Sequence, residues 1–183
     1  YPYQSLLPSE NTLIEEYNCS RNTVRRAIAE LSEAYPDVHF VYPVHLSPYV
    51  RETAEKFLGG NNRIHLIHPL AVDEMHNLMA RCYLIMTDSG GLQEAPSLGK
   101  PVLVLRRETE RPEAIEAGTV KLAGVEQANI VKLARELFDD EDAYAKMAHA
   151  VNPYGDGKTS QRIVQAIEQY FGLREDGPAP FNP

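Results

Sequence analysis

The run Thr87-Asp88-Ser89-Gly90-Gly91 closes a β-prone stretch, 83–87, and opens a helix-forming one, 89–98. A glycine turn between strand and helix is where an α/β fold presents free backbone N–H groups and the positive end of a helix dipole, chemistry suited to a phosphate. Glycines let the backbone approach an anion closely, and Ser89 adds a hydroxyl donor. Taken alone, a Gly-Gly pair is equally explained by the steric demand of a tight turn. Its neighbours tip the balance. His45 directly follows the β-rich run 38–44, and Glu94 lies about one helical turn inside the helix, where a carboxylate can accept ribose hydroxyls. Arg106, Arg107 and Arg111 follow the run 101–105, and a guanidinium fork there suits a pyrophosphate. Each of these side chains has a plain alternative as a solvated surface group; their convergence on one edge makes them a candidate anion site.

The elements that must hold these groups are legible from residue 37 onward. Strand-like runs at 38–44, 63–67, 83–87, 101–105 and, more weakly, 119–122 alternate with helical patterns, which predicts βαβ units in an α/β fold with a parallel sheet. Ser47 with Pro48 opens a helix that Gly59 and Gly60 close, and Asp73 is placed to cap a helix reaching Cys82. Helices follow at 89–98, ended by Gly99, then at 126–138, 141–151 and 159–171, the last with Ile163, Ala166, Ile167 and Tyr170 at helical spacing. Ahead of them, Ser9 can cap a short helix through Tyr17, and Ser20 a second with Val24, Ala27, Ile28 and Leu31 as its stripe. The division expected is a helix-turn-helix-like segment at 1–34, a nucleotide-binding domain at 35–173 and a flexible Pro-rich tail at 174–183.

Composition narrows the function classes. The 183 residues suit one domain, and 43% hydrophobic with 24% charged residues is ordinary for a soluble globular chain. Eighteen Lys and Arg against 26 Asp and Glu give a net charge of 18 − 26 = −8, which argues against a strongly basic nucleic-acid binder. No apolar run approaches a membrane span and the first residues lack a secretory pattern, so a cytoplasmic location is expected. Two cysteines, Cys19 and Cys82, cannot build a disulfide scaffold or a Cys-rich zinc site, and no metal is expected.

The runs Tyr42-Pro43-Val44-His45-Leu46, Thr87-Asp88-Ser89-Gly90-Gly91, Ala95-Pro96-Ser97-Leu98-Gly99-Lys100-Pro101, Glu110-Arg111-Pro112-Glu113 and Asn152-Pro153-Tyr154-Gly155-Asp156-Gly157 resemble the non-hydrolysing UDP-N-acetylglucosamine 2-epimerases in order and spacing. The resemblance covers about residues 35–172, the C-terminal half of a family whose fold is two Rossmann-like domains facing a cleft, the GT-B arrangement. It implies inversion of the sugar at C2 by elimination of UDP to a glycal and its re-addition, without a redox cofactor. Ser89, Gly90, Gly91 and Arg111 would hold the diphosphate, His45 would lie at the reacting end as the catalytic candidate, and the uracil would sit near Met75. Further acidic groups come from the family's N-terminal half, which makes a complementary domain or a second copy the expected partner beside UDP or UDP-N-acetylglucosamine. The family usually reads Ser-Gly-Gly-x-Gln-Glu-Glu-Ala-Pro; this chain has one Glu fewer, so Glu94 stands for either.

The N-terminal stretch has another resemblance. Leu7-Pro8-Ser9-Glu10-Asn11 and Tyr17-Asn18-Cys19-Ser20-Arg21-Asn22-Thr23-Val24-Arg25-Arg26-Ala27 are similar to part of the winged helix-turn-helix of GntR-type regulators. That likeness would put Arg21, Asn22, Thr23 and Arg25 near DNA and makes a chimeric DNA-binding or structural protein the rival reading. The family's first helix and β-wing have no counterpart in the sequence, and the stripe of Val24, Ala27, Ile28 and Leu31 is expected to pack on the sheet instead. Specific DNA binding is therefore not expected.

Overall fold

A computed structural model describes residues 21–180. In chain order it holds α1 (Arg21–Ala34), β1 (Phe40–Pro43), α2 (Pro48–Leu58), β2 (Ile64–Ile67), α3 (Val72–Arg81) and β3 (Ile85–Thr87). A 3₁₀ helix (Gly91–Leu98), β4 (Val102–Val104), α4 (Pro112–Glu116), β5 (Val120–Leu122), α5 (Gln127–Asp139), α6 (Glu141–Ala148) and α7 (Thr159–Tyr170) follow. The alternation expected from the sequence is present, and every strand pairing is parallel.

β4 shows why the layers form. Val102 and Val104 are fully buried in one apolar cluster with Met79, Ile85, Ala95, Ala114 and Val120, whereas Leu103 and Leu105 belong to another with Ala27, Leu31, Ile130 and Leu137. Successive strand residues point to opposite faces, so a run apolar at every position must be covered on both sides. Helices α1 and α5 cover one face; α3, the 3₁₀ helix and α4 supply the other. The result is a three-layer α/β fold of Rossmann type.

The single parallel sheet expected from the sequence is divided. β1 pairs with β2 in one ladder, β3–β4–β5 form a second, and among the described residues no strand joins β1 to β3. Periodicity finds strands but carries no information on which edges meet.

Helix α1 takes the packed place that its apolar stripe predicts. Ala27 and Leu31 are fully buried against α5 and the sheet, and Arg25 is only 4% exposed. Tyr35, just past the helix, stacks on Phe138 with centroids 4.8 Å apart and donates its hydroxyl to the Asp139 carboxylate at 2.8 Å. A helix held in this way is a layer of the domain. Its Arg25 cannot reach a DNA groove, so the recognition-helix assignment fails on burial. The rest of the helix-turn-helix resemblance, and Cys19, lie outside the described residues.

Other boundaries move for local reasons. Ala71, not Asp73, is the N-cap of α3, because the Glu74 carboxylate accepts the Ala71 N–H at 2.9 Å and closes the first turn two residues earlier. The stretch expected as an α-helix at 89–98 is a 3₁₀ helix beginning at Gly91. Pro96 lies inside it and has no N–H to give, and Gly99, at φ 69°, ends it in the left-handed region. Helix α4 has no counterpart in the sequence reading, being five residues long. The stripe on α7 is not covered: Ile163 and Ile167 stay 54% and 52% exposed, and no residue of that helix is buried. Beyond it the chain folds back, with Arg162 Nε donating to the Ala179 carbonyl at 3.1 Å.

Candidate anion site at the strand ends

The residues singled out by chemistry follow the carboxyl ends of strands in two separate ladders. His45 follows β1, the Ser89 turn follows β3, and Arg111 ends the loop after β4. All three strands are parallel within their ladders, so these loops lie at carboxyl ends, where open α/β sheets bind ligands.

The turn is fixed from beneath. Thr87 is buried at the end of β3, and its Oγ1 accepts the Ser89 N–H at 3.0 Å. That bond swings the chain outward, leaving Asp88 and Ser89 exposed. A Cβ on Gly90 would meet the carboxylate of Glu110, the far end of an exposed side chain. Among the described residues, a Cβ on Gly91 would meet Ser89 Oγ alone, at 4.0 Å, which leaves room before this backbone for a ligand.

Glu110 is held by Arg106, whose Nη1 lies 2.6 Å from its carboxylate, and Arg107 reaches Glu126 at 3.8 Å. Those arginines are thus engaged in surface pairs. Arg111 is placed differently: half-buried, it is the N-cap residue of α4, its N–H is donated to Thr109 Oγ1 at 3.1 Å, and its guanidinium lies over the Tyr154 ring at 5.1 Å.

His45 is exposed, and its Nδ1 accepts the Ser47 N–H at 3.1 Å. With Nδ1 as acceptor, the neutral ring carries its proton on Nε2, which then presents a donor outward. Met75 stands in the first turns of α3, partly buried against the cluster of Met79, Ile85 and Val102. The side chain of Glu94 lies outside the described residues; its backbone is in the 3₁₀ helix, where each residue turns about 120° rather than 100°.

Sequence reasoning gave no role to Tyr154, Thr87 or Glu110. Tyr154 was visible only inside the Asn152-Pro153-Tyr154 run; its N–H is donated to Asn152 Oδ1 at 3.2 Å, which turns the ring toward Arg111. Two surface depressions among the described residues lie away from this turn. One of about 640 Å³ is lined by Glu30, Gln127, Val131 and Arg135 between α1 and α5, and one of about 480 Å³ lies between Gly99 and Asn152. The Ser89 turn opens at an uncovered edge instead, as one wall of a cleft would. Among the described residues no group of three or more His, Cys, Asp or Glu is arranged to hold a metal, and no helix is long and apolar enough to cross a membrane.

Fold and edge together define one half of a GT-B-type α/β protein. Comparison with known sequences and structures makes this specific. The profile of the UDP-N-acetylglucosamine 2-epimerase family matches residues 13–168, a match that begins inside the segment likened to a DNA-binding motif. The UDP-N-acetylglucosamine 2-epimerase of Bacillus subtilis is 54% identical over 157 residues, 85% of this chain and 41% of the relative. An S. aureus MnaA–UDP co-structure superposes with a TM-score of 0.83 at 43% identity, covering 96% of this chain and 52% of that one. A Neisseria meningitidis UDP-GlcNAc 2-epimerase bound to UDP-GlcNAc gives 0.77 at 45% identity, covering 81% and 41%. This chain belongs to the UDP-N-acetylglucosamine 2-epimerase family, and it spans about two fifths to one half the length of these relatives.

Proposed function

We propose that this chain is the UDP-binding half of a UDP-N-acetylglucosamine 2-epimerase. In that role Ser89, Gly90 and Gly91 hold the diphosphate with backbone N–H groups and a hydroxyl, and Arg111 adds a guanidinium fork. His45, with Nε2–H turned outward, stands at the reacting end, Glu94 at the ribose and Met75 near the uracil. The observation that carries the reading is the open space before Gly91 on a turn pinned by Thr87, at the same edge as the Tyr154-stacked Arg111. The reaction removes UDP from C1 and a proton from C2, then restores both with C2 inverted. Acid and base groups must flank the sugar for this, so the second wall of the cleft comes from a complementary domain.

Titration calorimetry with UDP tests the site. Binding in the high-micromolar to millimolar range is expected, since half of the contacts are outside this chain. No heat of binding at several millimolar UDP, or unchanged binding in Ser89→Ala combined with Gly91→Val, refutes the assignment.

A further inference from the structure

An anion of the chain's own already lies on the Ser89 turn. Gly90 stands at φ −60° and ψ −39°, helical values open to any residue, so its backbone conformation does not call for glycine. What the missing side chain leaves is room, and the Glu110 carboxylate occupies it, with Oε1 and Cδ where a Cβ on Gly90 would meet them. The loops that carry the two residues start side by side. The Leu105 N–H bonds to the Thr87 carbonyl at 2.8 Å, after which one segment turns into Asp88 and Ser89 and the other into Arg106. Arg106 Nη1 then holds Glu110 Oε2 at 2.6 Å, one turn further along the same loop. Oε1, the oxygen laid over Gly90, accepts no hydrogen bond from any described residue. A diphosphate on the N–H groups of Gly90 and Gly91 would lie against this carboxylate, and two anions in contact with no cation between them repel.

We infer that Glu110 is a built-in competitor for the diphosphate, and that Arg106 is a further diphosphate ligand which Glu110 holds in reserve. As the anion arrives, the Glu110 side chain swings away from Gly90 and the Arg106 guanidinium passes from carboxylate to phosphate. A guanidinium meets either anion with the same N–H donors, so incoming oxygens replace outgoing ones and the cation is never left unpaired. The released carboxylate is exposed and returns to water, so the exchange strands no buried charge. An exposed pair of this kind is weakly held, and a diphosphate, carrying more charge on more oxygens than one carboxylate, displaces it. The exchange therefore favours ligands that bring a pyrophosphate and sets a threshold against weaker anions. This inference rests on the reading of the Ser89 turn as a diphosphate site and adds what restrains that site before it fills.

Calorimetric titration of the full chain with UDP, and separately with inorganic pyrophosphate, tests the exchange. Glu110→Gln keeps the size of the side chain and removes its charge, and should tighten both ligands by about fivefold to tenfold. Glu110→Ala removes the competitor altogether and makes the same test should the glutamine variant not fold. Arg106→Ala should weaken both ligands by about tenfold or more. The sign of the Glu110 effect is what decides. If the Arg106 and Glu110 pair only braced the two loops, losing Glu110 would loosen the turn and weaken binding. Unchanged or weaker binding in the Glu110 variants therefore overturns the proposal, and so does unchanged binding in Arg106→Ala. Should neither the unaltered chain nor any variant bind UDP or pyrophosphate at about 5 mM, the diphosphate site itself fails and the exchange with it. Equal UDP binding by all of them leaves the site standing and sinks the exchange alone.

Discussion

The Arg111 guanidinium lies over the Tyr154 ring, 5.1 Å from its centroid, and joins the loop after β4 to the segment between α6 and α7. A cation over an aromatic face is held by the ring quadrupole, contributing about 0.5 to 2 kcal/mol according to solvent exposure. The ring therefore helps set the plane of the guanidinium, through a contact between distant parts of the chain.

That geometry makes Arg111→Lys nearly as disruptive as Arg111→Ala. Lysine keeps the charge but loses the planar fork, so both variants should weaken UDP binding, alanine by about tenfold to a hundredfold and lysine nearly as much. Arg107→Ala, in a surface pair with Glu126, should change little. Calorimetric titration of the three variants checks this, and full affinity in Arg111→Lys would exclude a bidentate role.

Epimerisation by this chain alone is not expected. UDP-N-acetylglucosamine incubated with pure chain should stay unconverted by proton NMR, because one wall of the cleft cannot place acid and base on both sides of C2. Robust turnover would show that this half carries the whole catalytic set.

Helix α1 should report on stability and not on DNA. Leu31 is fully buried, and Leu31→Ala is expected to cost about 2 to 5 kcal/mol, read as a lowered urea midpoint. No shift on an operator fragment should survive about 150 mM salt with competitor DNA, given the net charge of −8. A salt-resistant shift abolished by Arg21→Ala would revive the regulator reading.

Acid should weaken one surface pair in a defined direction. Asp156 accepts both Arg162 guanidinium nitrogens, at 2.7 and 2.8 Å, and the Lys158 N–H at 3.1 Å, which hold its carboxyl well below the usual carboxylate range. A depressed folded value gives stability that is complete above the unfolded value of about 3.9 and is lost as pH falls toward the folded one. Urea unfolding of Asp156→Asn against the unaltered chain should therefore show a difference at pH 7 that shrinks on acidification and in high salt. A difference that widens in acid contradicts the pairing.

Local pattern determined much of this protein. The β-branched runs bounded by turn residues marked β1 to β5, each trimmed by a residue or more where ladder bonds stop, and Ser47-Pro48 marked the start of α2. The Ser89-Gly90-Gly91 turn and Arg111 were readable as neighbours because loops after the parallel strands of one ladder share an edge, while His45 follows β1 in the other ladder. Tertiary structure decided the rest, because each remaining feature is a contact between residues far apart in the chain. It placed Glu110 against Gly90 and Tyr154 beneath Arg111, and set α1 against α5 through Ala27 and Leu31. It also set β1 and β3 in separate ladders among the described residues, since strand order depends on which apolar faces can be covered together and not on the residues of any one strand.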